Sequence, residues 1–142
     1  MEFRLCTTED AIVLASMNQE LIRDEGHRNR MTLDELTSRM KQFLQSEYEA
    51  VLFLVDDCPV GYGLYKFEPE WVYLRQFFVK PDFRRRGIGR EATKWLREEV
   101  WRQCRRVRLD VLVGNCDGIA FWRAVGFEDY CLTMELEWPN AD

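Results

Sequence analysis

The sequence predicts a mixed α/β domain, and three observations carry that prediction. Strand-like and helix-like patterns interleave along the chain. A nearly continuous apolar strand, "WVYLRQFFV" (Trp71–Val79), runs into a basic glycine turn, "KPDFRRRGIGREA" (Lys80–Ala92), and then into an amphipathic helix. Further on, "NCDGIAFWRAVGF" reads as a short helix opened near Asn115 and stopped by Gly126.

Each element has its own signal. "FRLC" (Phe3–Cys6) alternates weakly and reads as a first strand. Thr7 or Thr8 caps a helix rich in Ala, Ile, Leu and Met that runs to about Arg23. "RDEGHRNRM" breaks that pattern at Gly26. Thr32-x-x-Glu35 is a capping box, in which each side chain satisfies a free N–H of the other's backbone. Behind it, Leu33, Leu36, Met40, Phe43 and Leu44 recur at helical spacing. "AVLFLVDDCPVGYGLYKFEP" reads as strand, turn, strand, with the turn at Asp56–Pro59. After the glycine turn, Ile88, Ala92, Trp95, Leu96 and Val100 mark a helix from about Gly87 to Gln103. "RVRLDVLV" predicts a further strand, and "YCLTMELEW" a closing strand with alternating faces.

The length of 142 residues and 46% hydrophobic content suit one domain, residues 1–142, with a real core. No apolar run is long enough to span a bilayer, so no membrane partner is expected. "MEFRLCTTED" lacks a basic region followed by an apolar one, so no secretory signal is expected. The five cysteines are scattered and form no CxxC pair, and the chain has one histidine, His27. A disulfide framework and a metal site are therefore not expected; the reading is a cytoplasmic protein with free thiols.

The net charge of −5 conceals a split. Residues 84–108 hold ten Lys/Arg against three Asp/Glu, inside an otherwise acidic chain. A basic island of this kind fits a local anionic ligand better than broad adhesion to nucleic acid. Helix N-termini carry unpaired N–H groups and partial positive charge, glycines let a ligand approach the backbone, and arginines add charge-assisted hydrogen bonds. A pyrophosphate is the natural guest.

Gly87-Ile88-Gly89-Arg90-Glu91-Ala92 matches the dinucleotide pattern G-x-G-x-x-G/A in its letters, with Asp110 downstream. The geometry argues against it, because Pro81 to Arg86 separate the strand from the first glycine. The stretch Arg84-Arg85-Arg86-Gly87-Ile88-Gly89 instead fits Q/R-x-x-G-x-G/A, and it resembles the acetyl-CoA turn of the GNAT family of N-acetyltransferases. "FFVKPDF" is similar to that family's run at the end of the fourth strand, and "NCDGIAFWRAVGFEDY" to its later Asn-to-Gly-Phe segment. The resemblance is to a small, single-domain, bacterial-type member. It implies a mostly antiparallel, mixed, twisted sheet of roughly six to seven strands with about four helices, splayed between strands four and five.

The resemblance also implies roles. Acetyl-CoA would be the acetyl donor, with backbone groups of Phe77, Phe78 and Val79 facing its pantetheine arm. Backbone N–H groups from Arg85 through Gly87, Ile88 and Gly89 to Arg90 would hold the pyrophosphate. Arg84, Arg85, Arg86 and Arg90 are the side-chain candidates for the phosphates. Asn115 would contact the pantetheine or order the adjoining loop, and Phe121, Trp122 and Arg123 would flank the cofactor. Many relatives carry a tyrosine acid where this chain has Trp122, whose indole cannot give up its proton. Tyr130, Tyr73 or water would then serve. The equivalent of an early-strand Glu base in some members is Tyr73.

On the acceptor side, the loop after the first helix holds Asp24, Glu25 and His27, suited to attract a cationic amine; Glu25 or His27 could take its proton. The alternative for that loop is plain surface with Gly26 as a helix cap. Arg75 interrupts an apolar strand, either paired with an acid on the sheet or reading an acceptor carboxylate. The function expected is acetyl transfer from acetyl-CoA to a primary amine of a small molecule or peptide. The rival readings are a cofactor-binding module without chemistry and a nucleic-acid binder through residues 84–108. Closing strands often pair copies in the family, so a homodimer is a further expectation.

Overall fold

The computed structural model describes residues 1–140 of the chain. Its sheet is built in sequence order, β1 (Glu2–Leu5), β2 (Tyr48–Val55), β3 (Cys58–Phe67), β4 (Val72–Val79) and β5 (Val107–Arg108). The first four pair antiparallel, and β5 lies parallel to β4. The helices are α1 (Ala11–Glu25), α2 (Leu33–Leu44), α3 (Ile88–Trp95) and α4 (Cys116–Ala124).

The capping chemistry places the first two helices. Thr7 and Asp10 cap each other across a 3₁₀ turn that leads into α1, and Gly26 ends α1 in left-handed geometry at φ 68°. The predicted box opens α2: Glu35 N–H donates to Thr32 Oγ1 at 3.2 Å, and Thr32 N–H to Glu35 Oε1 at 2.9 Å.

Alternation along β2 then sorts the core onto both sheet faces. Ala50, Leu52 and Leu54 join Leu14, Met17, Leu21 and Met40 under α1 and α2. Val51 and Phe53 join Val72, Leu74, Ile88, Ala92 and Leu96 under α3.

The pairing of β4 has two irregular features. Leu64 faces Gln76 and Tyr65 faces Leu74, so Arg75 is the extra residue of a β-bulge. A bulge reverses the facing of the strand beyond it. Val72 and Leu74 therefore point toward α3, while Phe78 points toward α1. The second feature is that β4 and β5 pair only through Val72 with Val107 and Tyr73 with Arg108. Beyond Tyr73 the two strands part.

Three predictions differ from this structure. The strand expected over 106–113 is reduced to two residues, because β4 stops pairing with it. Among the described residues the closing strand is not formed, leaving five strands rather than six to seven. Alternation specifies a strand only where an edge accepts it, and β5 offers almost none. Leu132, Met134, Leu136 and Trp138 are all exposed. Contacts to Arg28, from Glu135 at 2.9 Å and Glu137 at 3.8 Å, hold this segment across the chain.

The helix expected to reach Gln103 widens instead. Leu96–Val100 form a π turn, closed by Trp101 N–H to Leu96 O at 2.7 Å. The turn delivers Trp101 to the core, edge-on to Tyr65 at 5.4 Å and 1% exposed. Trp101→Ala is expected to cost about 3–5 kcal/mol, read as a lower urea midpoint.

Burial also sets an alkaline limit. It raises Cys6 to about 12 and Tyr73 to about 12, and it raises Tyr62 and Tyr65 as well. These groups stay protonated when folded but ionise in the unfolded chain above pH 9 to 10. The unfolded state then binds fewer protons, so stability falls as pH rises through that range. The urea midpoint is expected to drop between pH 9 and pH 11, with no contribution from these groups between pH 6 and pH 8.

Among the described residues no helix is long and apolar enough to cross a membrane.

Candidate active site where β4 and β5 part

The basic turn is a short relay from sheet to helix. Lys80 N–H donates to Val60 O at 2.7 Å, and Pro81–Phe83 form a 3₁₀ turn. Arg85 at φ 62° and Gly87 at φ 77° both take left-handed backbone, a conformation used to gather N–H groups around anions. Gly87 is the N-cap of α3 and offers no side-chain cap. The first helical bond runs from Glu91 N–H to Gly87 O at 2.9 Å, so the N–H groups ahead of it lack helical acceptors.

The two glycines of the turn have different reasons. A Cβ at Gly87 would meet nothing within 4 Å, so its need is conformational. A Cβ at Gly89 would come within 2.9 Å of Phe121, so that glycine lets α3 approach α4.

The arginines divide. Arg84 is engaged internally: its Nε donates to Val79 O at 2.8 Å, and its terminal nitrogen pairs with Asp24. That pairing ties the end of α1 to the turn. Arg86 lies over the Phe83 ring at 5.2 Å, and Arg90 reaches Ala124 O at 3.5 Å. Among the described residues Arg85, Arg86 and Arg90 have no ion pair.

Asn115 caps α4, accepting from Gly118 N–H at 3.0 Å. Phe121 stacks near Phe77 at 6.0 Å, and Trp122 meets Phe77 edge-on at 5.0 Å. Arg123 is held by Asp129 at 2.7 Å.

Where the strands part, a cavity of about 330 Å³ opens. Its walls come from α1, the loop after it, α2, β4, residues 109–111 and Trp122. Glu25 and His27 both line it, with Oε2 and Nε2 2.7 Å apart. Tyr73 lines it too, its hydroxyl donating to Asp110 Oδ2 at 3.0 Å. Burial first, and then that bond to Asp110, raise Tyr73 to about 12, so the phenol keeps its proton at neutral pH. Tyr130 does not line the cavity; its hydroxyl accepts from the Arg108 guanidinium at 3.4 Å, at the end of β5. Asp24 faces Arg84 rather than the cavity lining.

The structure adds residues that sequence reasoning passed over. Arg39 and Asn18 line the cavity, joined by a 2.9 Å hydrogen bond from the guanidinium to Asn18 Oδ1. Both sit within apolar helical stripes, Asn18 between Leu14 and Leu21 and Arg39 between Leu36 and Met40. A polar residue on a buried helix face was the available signal. Burial, and then the neighbouring Arg75 charge, lower Arg39 from its ordinary value. Gln76 also lines the cavity and accepts from the fully buried Tyr62 hydroxyl at 2.8 Å. Among the described residues no cluster of three or more His, Cys, Asp or Glu could hold a metal ion.

The site is thus a parted pair of parallel strands beside a basic glycine turn. The profile of the acetyltransferase (GNAT) family matches residues 14–127, and the chain belongs to that family. A possible acetyltransferase from Clostridium difficile 630 has the same fold, with TM-score 0.81 and 19% identity, over 98% of each chain. An aminoglycoside N-acetyltransferase solved with coenzyme A gives TM-score 0.76 and 17% identity, over 96% of this chain and 93% of that one. The thialysine N-epsilon-acetyltransferase of Bos taurus is 37% identical over 78 residues, 51% of this chain and 46% of its own length. The chain therefore spans about half the length of the curated relatives it matches.

Proposed function

We propose that this chain transfers an acetyl group from acetyl-CoA to a primary amine held in the cavity between β4 and β5. The observation that carries this reading is one juxtaposition. A cavity lined by a carboxylate–imidazole pair opens beside a turn whose N–H groups and arginines suit a pyrophosphate. When bound, acetyl-CoA supplies a thioester carbonyl for the amine to attack and a thiolate as the leaving group.

The chain's own residues divide the remaining work. Arg85, Arg86, Arg90 and the N–H groups from Arg85 to Arg90 hold phosphate oxygens. Arg84 acts differently, by fixing the α1 end against the turn through Asp24. Phe77, Phe121 and Trp122 wall the parting of the strands, with backbone of Phe77, Phe78 and Val79 facing the pantetheine. Asn115 orders the start of α4.

An acceptor amine arrives as a cation, which Glu25 and Asp110 attract. Glu25, with His27, takes the proton that makes it a nucleophile. Nitrogen then bonds to the acetyl carbon as the carbon–sulfur bond breaks, and the second ammonium proton leaves to water. Tyr73 holds Asp110 in place and keeps its own proton.

The test is thiol release from acetyl-CoA across a panel of amines, with the acetylated amine identified by mass. The second reading, a binding module, draws on Trp122, which is packed among Phe77, Phe121 and Phe127 and has no proton to give. Coenzyme A binding without amine-dependent thiol release would favour it. Salt-sensitive nucleic-acid binding that persists in saturating coenzyme A would favour a role for residues 84–108 outside acetyl transfer.

A further inference from the structure

Two guanidinium groups share the acceptor cavity. Arg39 comes from α2 and Arg75 from the bulge of β4, and both line the cavity. Both lie over the same Phe43 ring, at 5.5 Å and 4.9 Å. Among the described residues neither takes part in an ion pair. Among the described residues the Nε of Arg39 is buried without a hydrogen-bond partner, and Arg75 donates to the Tyr48 hydroxyl at 3.4 Å. Two like charges on one aromatic platform, with a buried donor unsatisfied, form an unfavourable arrangement. A planar oxyanion in the cavity offsets the paired charges, since guanidinium groups bind carboxylate through paired hydrogen bonds.

The position of this pair relative to Glu25 sets the acceptor's length. Arg39 is anchored by Asn18, and Asn18 stands seven residues before Glu25 on α1. At helical rise that is about 10 Å along the axis. An α-amino group sits too close to its own carboxylate to span such a gap, whereas an amine several bonds away does.

Resting on the acetyl-transfer reading above, we infer that the acceptor is an ω-amino acid. Its free carboxylate binds between Arg39 and Arg75, and its distal amine is presented to Glu25 and His27. Arg39 and Arg75 are specificity-determining residues for the carboxylate and take no part in moving the proton.

The test compares ε-aminocaproate, its primary amide and cadaverine as acceptors with saturating acetyl-CoA. The wild-type protein is expected to favour the acid over the amide and the diamine by about tenfold or more in kcat/KM, mainly through KM. Arg39→Gln with Arg75→Gln is expected to bring the acid-to-amide ratio to about one, while Arg39→Lys with Arg75→Lys keeps part of it. Equal use of acid and amide by the wild-type protein overturns the inference, as does an acid preference that survives the double Gln variant.

If no amine is acetylated, the acetyl-transfer reading fails, and calorimetry on the coenzyme A-saturated protein still decides this inference. Tighter binding of ε-aminocaproate than of its amide, lost in the double Gln variant, supports it; equal or absent binding of the two overturns it.

Discussion

Gly87→Glu is expected to remove coenzyme A binding, with the fold intact. Gly87 holds φ 77° as the N-cap of α3, and a Cβ there meets nothing within 4 Å. A glutamate side chain therefore enters open space and does not clash with the protein. Its cost to the fold is the left-handed backbone, roughly 1–2 kcal/mol. Its cost to binding is larger, because the carboxylate stands where a pyrophosphate is proposed to sit. Two unit charges about 4 Å apart near a protein surface repel by about 4 kcal/mol, close to a thousandfold in affinity. Gly87→Asn is the control, since asparagine tolerates left-handed backbone and adds no charge. Calorimetry should find coenzyme A affinity within a few-fold of wild type for the Asn variant and none measurable for the Glu variant. Unchanged affinity in Gly87→Glu would remove the pyrophosphate from this turn.

Glu25→Gln is expected to lower kcat/KM for acetyl transfer by about a hundredfold to a thousandfold, with coenzyme A affinity unchanged. The substitution keeps size and removes the charge that lies 2.7 Å from His27 Nε2. Without the carboxylate, the imidazole loses the partner that orients it. A rate loss that shrinks as pH rises would fit the role proposed here, because a larger share of the amine then arrives already deprotonated. A change confined to KM would make Glu25 a charge that attracts the amine, with no part in the proton transfer.

The features legible in the sequence are those set by local chemistry. Thr32 and Glu35 cap α2 because both partners lie within one turn. The strand-to-helix turn at Gly87 is written in adjacent residues, and Asn115 and Gly126 bracket α4 for the same reason. What sequence reading missed depends on distant pairing. The bulge at Arg75 exists only because Leu64 and Tyr65 pair out of step with β4. That offset puts Arg75 on the Phe43 ring beside Arg39, a meeting of three elements. The carboxylate–imidazole pair of Glu25 and His27 is visible as a sequence cluster, whereas the cavity it lines requires α1, β4 and residues 109–111 to converge. The alternation over 130–138 predicts a strand, but no edge receives it within the described residues. Its apolar side chains remain in solvent, Met134 and Leu136 each 82% exposed.

The most direct test of the central claim is thiol release from acetyl-CoA by the purified chain, measured with and without a primary amine. Amine-dependent release is expected, matched by an equal amount of acetylated amine, lost in Gly87→Glu and sharply reduced in Glu25→Gln. Release that no amine stimulates, from protein that still binds coenzyme A, would contradict it.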